Sequence, residues 1–383
     1  MKRVVCGLVL ALGVLLSPVS VSAVELEVAG KSAVLMDVAT GTVLYESNAH
    51  EKLAPASVTK VMTMLLIMEA VDSGKIALTD MVTASENAAA KGGSQIYLKV
   101  GETMTVSDML KSIAVSSAND CACAMAEHIA GSEEAFVGLM NQKAAQLGMG
   151  DTTFVNCTGL DDDAEAANHK TSAYDIAIMS RELLKNHPTI KNYTTIWMDT
   201  VRNGTFGLSN TNKLVRFYQG ATGLKTGFTS GAGYCLSATA AREGMELIAV
   251  IMGAETSQAR NAACKQLLDY GFANYALISP ELTEVSDVPV TLGKQRSVSP
   301  QLGEEGALLI DKAQKNSVTT EVTMEQSVPA PVSQGQRIGT LTVKAGEQIL
   351  REVPLVAAES VQRLDFGDLF VMVLRRAAMA KTV

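Results

Sequence analysis

The sequence predicts an α+β protein: helices clustered around an antiparallel sheet, then a small all-β domain and a C-terminal amphipathic helix. Three observations carry that expectation. Helix-like apolar segments fill the stretch from Ser57 to Lys185. From about Tyr218, small β-prone residues alternate with turn residues. Beyond Pro280 the chain breaks into short alternating runs punctuated by Gly, Pro and charge.

The N-terminus is expected to lie outside the fold. Lys2 and Arg3 precede an apolar run, Val4 to Leu16, and Val21–Ala23 supplies small residues suited to a signal peptidase. Residues 1–23 therefore read as a secretory signal, too short for a transmembrane span. The mature chain is then exported. Its composition, 47% hydrophobic and 19% charged, is that of a soluble globular protein, and its net charge of −8 comes without a basic patch, which argues against nucleic acid.

"KSAVLMDVATGTVLYESN" reads as a hairpin around "ATG". Pro55 and Ser57 are start signals for a helix running to about Val71, apolar all round and hence buried. "SDMLKSIAVSSANDCACAMAEHIA", "EEAFVGLMNQKAAQLGM" and Tyr174–Lys185 continue the helical cluster. "GLKTGFTSGAGYCLSATAAREGMELIAVIMGA" reads as paired strands, and "SQARNAACKQLLDYGF" as a closing helix. These boundaries place one domain at 24–280, an all-β domain at 281–357 and a terminal segment at 358–383. In the last, Phe366, Leu369, Phe370, Val373 and Ala377 share one helical face. A helix lying in a membrane interface fits that pattern, the alternative being a helix packed on the β domain.

Six cysteines become five once Cys6 is removed with the signal: Cys121, Cys123, Cys157, Cys235 and Cys264. An odd number leaves at least one thiol unpaired within a single chain. Cys121 and Cys123 lack the second pair that structural zinc requires, and His50, His128, His169 and His187 show no H-E-x-x-H spacing. No metal or cofactor is expected.

The chemistry centres on "LAPASVTKVMTMLL". Ser57 and Lys60, at i and i+3, lie on one helical face, and a buried lysine amine can act as a base. S-x-x-K alone is weak. It gains weight from Ser117-Ala118-Asn119 and Lys225-Thr226-Gly227, which follow Ser57 by 60 and 168 residues. A second hydroxyl can relay a proton, an amide can hold a peptide group, and Lys-Thr on a strand edge can hold a carboxylate. Gly227 is expected to leave room for a ligand lying along that strand. The three elements in this order form the motif set of penicillin-recognising serine enzymes.

With these motifs the chain resembles the low-molecular-mass penicillin-binding proteins, the serine-type D-alanyl-D-alanine carboxypeptidases. The resemblance extends to "MDVATGTVLYESNAHEKLAPASVTKVMT", "GGSQIYLKVGETMTVSDMLKSIAVSSANDCACAMAEHIAGS", "FVNCTGLDDD" and "HKTSAYDIAIMSREL", and through the β domain to the tail. It implies a β-lactamase/transpeptidase-like first domain and a terminal membrane anchor on the extracytoplasmic face. It also implies a nucleophile at Ser57, its base at Lys60, a proton shuttle at Ser117 and a substrate amide contact at Asn119. Lys225 and Thr226 would bind the terminal carboxylate, the N–H groups of Ser57 and Phe228 would form an oxyanion hole, and Arg260 would help anchor substrate. The implied substrate is a muropeptide ending in D-Ala–D-Ala, with β-lactams acylating the same serine.

A β-lactamase shares the three motifs but needs a deacylating E-x-x-x-N; Glu165 and Asn168 stand one residue too close. A D,D-endopeptidase would use the same site. A non-catalytic scaffold binding wall precursors predicts the loss of a catalytic position, and none is lost. Other serine hydrolases lack support, since G-x-S-x-G is absent.

Overall fold

The computed structural model describes residues 26–161, 164–282, 285–304 and 306–379. The expected signal, residues 1–23, lies outside the described residues. β1 (Ser32–Asp37) and β2 (Val43–Ser47) form the anticipated hairpin at one edge of a five-stranded antiparallel sheet. β3 (Ala221–Thr229), β4 (Gly233–Arg242) and β5 (Met245–Ala254) complete it in the order β2-β1-β5-β4-β3. Both faces of its centre are buried. On β5, Leu247, Ala249 and Ile251 face one core, while Ile248, Val250 and Met252 face another. A strand covered on both sides has no reason to alternate polar with apolar, which is why "LIAVIM" reads as a continuous apolar run.

The first core contains α1 (Lys60–Asp72), buried on all sides from Lys60 to Met68. Sequence reading started this helix at Ser57. The structure instead places a 3₁₀ turn, Ala56–Thr59, ahead of it, because Ala56 has a left-handed φ of +47° that no α-helical turn accepts. Around α1 pack α2 (Val106–Ser116), α3 (Asn119–Ala130), α4 (Glu133–Gln146) and α5 (Ala173–Asn186). The stretch containing α2 and α3 is broken at Ser117, whose φ of +63° ends α2 and turns the chain. Thr105, Ser132 and Ser172 cap the N-termini of α2, α4 and α5, each accepting from the third backbone N–H beyond it. The opposite face of the sheet is covered by α6 (Ser257–Asn274), through Ala263, Leu267, Leu268 and Phe272.

β6 (Tyr275–Ile278) follows α6 directly and pairs antiparallel with β7 (Leu308–Asp311), a strand that sequence reading assigned to the β domain. Lys312 Nζ donates to the Phe272 carbonyl at 2.9 Å, satisfying a carbonyl in the last turn of α6. Beyond the junction, a four-stranded antiparallel sheet joins Pro300–Leu302, Gln348–Ala357, Arg337–Ala345 and Val318–Met324 in that order. It has small apolar cores of its own, around Ile338 and Val361 and around Leu341 and Leu355.

The terminal helix α7 (Phe366–Met379) starts beside Lys294, which pairs with Asp365 and Asp368. Phe366 is 84% exposed, and Phe370, Val371, Met372, Val373 and Leu374 are exposed as well. These side chains are not covered by the β domain. Among the described residues no helix is long and apolar enough to cross a membrane.

Candidate active site

The 3₁₀ turn places Ser57, partly exposed, one step before α1, whose first residue is Lys60. Lys60 Nζ lies 3.0 Å from Ser57 Oγ and donates to the Thr158 carbonyl at 2.8 Å. The lysine is fully buried. Burial lowers its pKa to about 7, with Asp120 pulling the other way. At neutral pH much of the amine is thus unprotonated and within reach of the serine proton.

The turn is gripped from two sides. A Cβ at Gly159 would lie 1.8 Å from the Ala56 carbonyl oxygen, so glycine alone permits that approach. Thr59 Oγ1 donates to the same carbonyl at 2.8 Å and meets His169 Nε2 at 2.8 Å. On the other side, a Cβ at Gly227 would lie 2.7 Å from the Pro55 carbonyl and 3.0 Å from Val58 N. The missing side chain makes room for the turn that carries Ser57.

Ser117 and Asn119 flank the break between α2 and α3. Both are buried, and Ser117 Oγ and Asn119 Oδ1 have no hydrogen-bond partner among the described residues. Buried polar atoms are nearly always satisfied, and the one other such atom among the described residues is Asp37 Oδ2 on β1. Asn119 itself is held, its Nδ2 donating to Gly92 O at 2.7 Å and its backbone N–H to Ser94 O at 2.7 Å.

Lys225 lies buried on β3 and donates to the Thr226 carbonyl at 2.9 Å. Burial pushes its pKa well down, and the charges of Lys60 and Arg260 push in the same direction. Thr226 Oγ1 donates to Thr211 Oγ1 at 2.7 Å. Phe228 is exposed and stacks on Tyr234, with ring centroids 4.3 Å apart. Arg260 is buried in the first turn of α6. Its guanidinium is engaged by Asn261 Oδ1, at 3.1 and 3.0 Å, and by the Cys235 carbonyl at 3.4 Å. It acts on Lys225 through charge, and its guanidinium lies 5.8 Å from the centre of the Tyr234 ring that stacks on Phe228.

Sequence reasoning missed the Thr158 carbonyl. Any residue type supplies a carbonyl, so nothing in its identity marks position 158. The available signal was the turn chemistry of "NCTG": Asn156 Oδ1 accepts from the N–H groups of Thr158 and Gly159, at 3.2 and 2.6 Å. The cysteines play no cross-linking part here; Cys121, Cys123, Cys157, Cys235 and Cys264 are free and buried.

Comparison with known proteins places the chain by family and fold. The family profile described as D-alanyl-D-alanine carboxypeptidase matches residues 19–256, and that of the penicillin-binding protein 5 C-terminal domain matches 280–363. The chain is 46% identical to D-alanyl-D-alanine carboxypeptidase DacF of Bacillus subtilis, over 89% of this chain and 88% of that one. It is 35% identical to DacC of Escherichia coli, over 87% and 84%. Among solved structures, penicillin-binding protein 5 of Haemophilus influenzae superposes with a TM-score of 0.76 at 30% identity, covering 89% of this chain and 100% of that one. Penicillin-binding protein D2 of Listeria monocytogenes, in its cefotaxime-bound form, gives 0.60 at 32% identity, covering 65% and 99%.

Proposed function

Because the chain belongs to the D-alanyl-D-alanine carboxypeptidase family, we propose that it removes the terminal D-alanine from peptidoglycan stem peptides through an acyl-enzyme on Ser57. The observation that carries this reading is the buried Lys60 amine 3.0 Å from Ser57 Oγ, its pKa lowered by burial to about 7. Lys60 takes the serine proton as Oγ attacks the D-Ala–D-Ala carbonyl. The N–H groups of Ser57 and Phe228 receive the developing oxyanion. Ser117 passes a proton to the leaving D-alanine amine, Asn119 holds the substrate amide, and Lys225 with Thr226 binds the terminal carboxylate. Water, activated by Lys60, then releases the shortened stem. A β-lactam meets the same serine and presents its carboxylate to the same pair.

The partnerless atoms of Ser117 and Asn119 support these roles, since a bound peptide offers both a donor and an acceptor. The exposed apolar face of α7, followed by Arg375 and Arg376, supports attachment to a membrane surface on the extracytoplasmic side. Export through residues 1–23 belongs to the same reading.

The test is free D-alanine released from a diacyl-L-Lys-D-Ala-D-Ala peptide by the protein lacking residues 1–23, with Ser57→Ala beside it. Release by the parent and none by the variant is expected. No release by the parent, with labelled penicillin still trapped on Ser57, overturns the carboxypeptidase reading in favour of an endopeptidase.

A further inference from the structure

Behind the Lys60–Thr158 contact lies a polar cluster that the acyl-transfer roles leave unused. Glu133 opens α4 next to its capping residue Ser132, where the helix N-terminus favours a negative charge. Lys91 pairs with its Oε2 at 2.6 Å, and both side chains are largely buried. Oε1 accepts from the Cys157 backbone N–H at 3.3 Å and from Cys157 Sγ at 3.2 Å. Oε2 also lies 3.6 Å from Cys123 Sγ and 3.5 Å from Asn87 Nδ2. Glu127 shares the Asn87 amide at 2.9 Å.

The Cys157–Thr158 segment is thereby fixed at three atoms. Its N–H is held by Glu133, the Cys157 carbonyl accepts from Thr63 Oγ1 at 2.7 Å, and the Thr158 carbonyl accepts from Lys60 at 2.8 Å. Thr63 and Lys60 lie one turn apart on α1, so both carbonyls are read by the same helix. The Glu133 end ties that peptide to a different helix.

We propose that Glu133, paired with Lys91, is a positioning residue for the reaction, aiming the Lys60 amine at Ser57 through the Cys157–Thr158 segment. This rests on Lys60 being the base. With one N–H of the neutral amine donated to Thr158, its lone pair is directed away from that carbonyl and toward the serine. Cys157 donates its thiol proton to the carboxylate, hydrogen bonding to Cys123 and burial holding that thiol protonated.

Two variants separate position from charge. Glu133→Asp keeps the charge and the Lys91 pair but draws the carboxylate back from the Cys157 N–H. The double variant Lys91→Met/Glu133→Gln keeps an acceptor at Oε1 and removes both charges. D-alanine release is measured from pH 5 to 9, with active sites titrated by labelled penicillin so that rates refer to folded enzyme. Glu133→Asp is expected to lose about 10- to 100-fold per titrated site, mostly in kcat. Its acidic limb should move to lower pH as the ammonium loses a well-placed acceptor. The double variant is expected to stay within about threefold of the parent. Parent-like rate and limb in Glu133→Asp, or the reverse order of the two variants, overturns the proposal alone. A parent that releases no D-alanine overturns the Ser57–Lys60 reading and the proposal with it.

Discussion

Burial first, and then the charge of Lys60, lower the pKa of Lys225, and among the described residues neither amine forms a salt bridge. Both side chains are buried to within 1% of completely. Two ammonium groups in one low-dielectric region oppose each other, so protonating one disfavours protonating the other. A carboxylate arriving beside Lys225 would therefore change what Lys60 can do.

The first consequence is a pH dependence. On the proposed mechanism the neutral form of Lys60 is the active one, and burial lowers its pKa to about 7. The kcat/KM for D-alanine release should therefore rise between pH 5 and 8, with the midpoint of its acidic limb near 7. Lys60→Arg should abolish the reaction over this range, since a guanidinium does not give up its proton. Stopped-time assays of released D-alanine across this range check both.

Lys60 also weighs on stability. Its folded-state pKa lies below the free value of 10.5, so between pH 10.5 and 7 the unfolded chain takes up a proton that the folded chain refuses. Stability must fall as the pH drops through that window and level off below about 7. Lys60→Met should raise stability at pH 7 by on the order of 2 kcal/mol, after allowing for the Thr158 carbonyl left without its donor. At pH 10 the gain should nearly vanish. Calorimetric melting at the two pH values measures the difference.

Ser117→Gly should separate stability from activity. It removes a partnerless buried hydroxyl and places glycine where φ is +63°. A gain of about 1 kcal/mol is expected in denaturant titration. Penicillin acylation of Ser57 should slow by roughly 100-fold, the share of a positioned proton shuttle.

Gly227→Ala should push β3 off the Ser57 turn. Its new Cβ would meet backbone atoms at 2.7 and 3.0 Å, which cannot swing aside as a side chain can. Loss of at least about tenfold in acylation rate is expected, together with a lower melting temperature. Gly138→Ala, on the exposed side of α4 with no atom within 4 Å of the new Cβ, serves as the control. It should stabilise the protein by about 0.5–1 kcal/mol and leave acylation unchanged.

Deleting residues 366–383 should leave D-alanine release intact and abolish co-sedimentation with phospholipid vesicles. The deleted helix carries exposed Phe366, Phe370 and Val373 and lies outside the cores around Ser57. Retained sedimentation by the truncated chain would place the membrane contact elsewhere.

What sequence reading reached and what it missed divide along a physical line. The hairpin at "ATG", the buried helix after Ser57 and the closing helix after Thr256 were legible because periodicity and capping are local. The Ser57–Lys60 contact was legible because the i, i+3 spacing is local, and Ser117, Asn119 and Lys225 stand out as candidates because the chemistry proposed for them depends on residue type. The Thr158 carbonyl was not, since a backbone atom leaves no trace in the alphabet. Gly227 was noticed for the right reason, close approach, but the approaching group is a turn 170 residues upstream, which only the folded sheet reveals. The strand Leu308–Asp311 was recognised as a strand, while its pairing with Tyr275–Ile278 across the proposed boundary at 280 was a tertiary fact. Arg260 was singled out, yet its neighbour Asn261 is what holds its guanidinium.

The Tyr275–Ile278 ladder has a mechanical consequence. It continues without a break from α6, whose own orientation is set by the sheet it covers, and Lys312 bolts the same helix end from the far side. Swinging the two parts about their covalent connection would first require breaking that ladder and the bolt. The junction therefore acts as a bracket at the end of α6. On the proposed attachment of α7 to a membrane, a bracket there would help set the height and tilt of Ser57 above that surface, and with them the layer of wall within its reach.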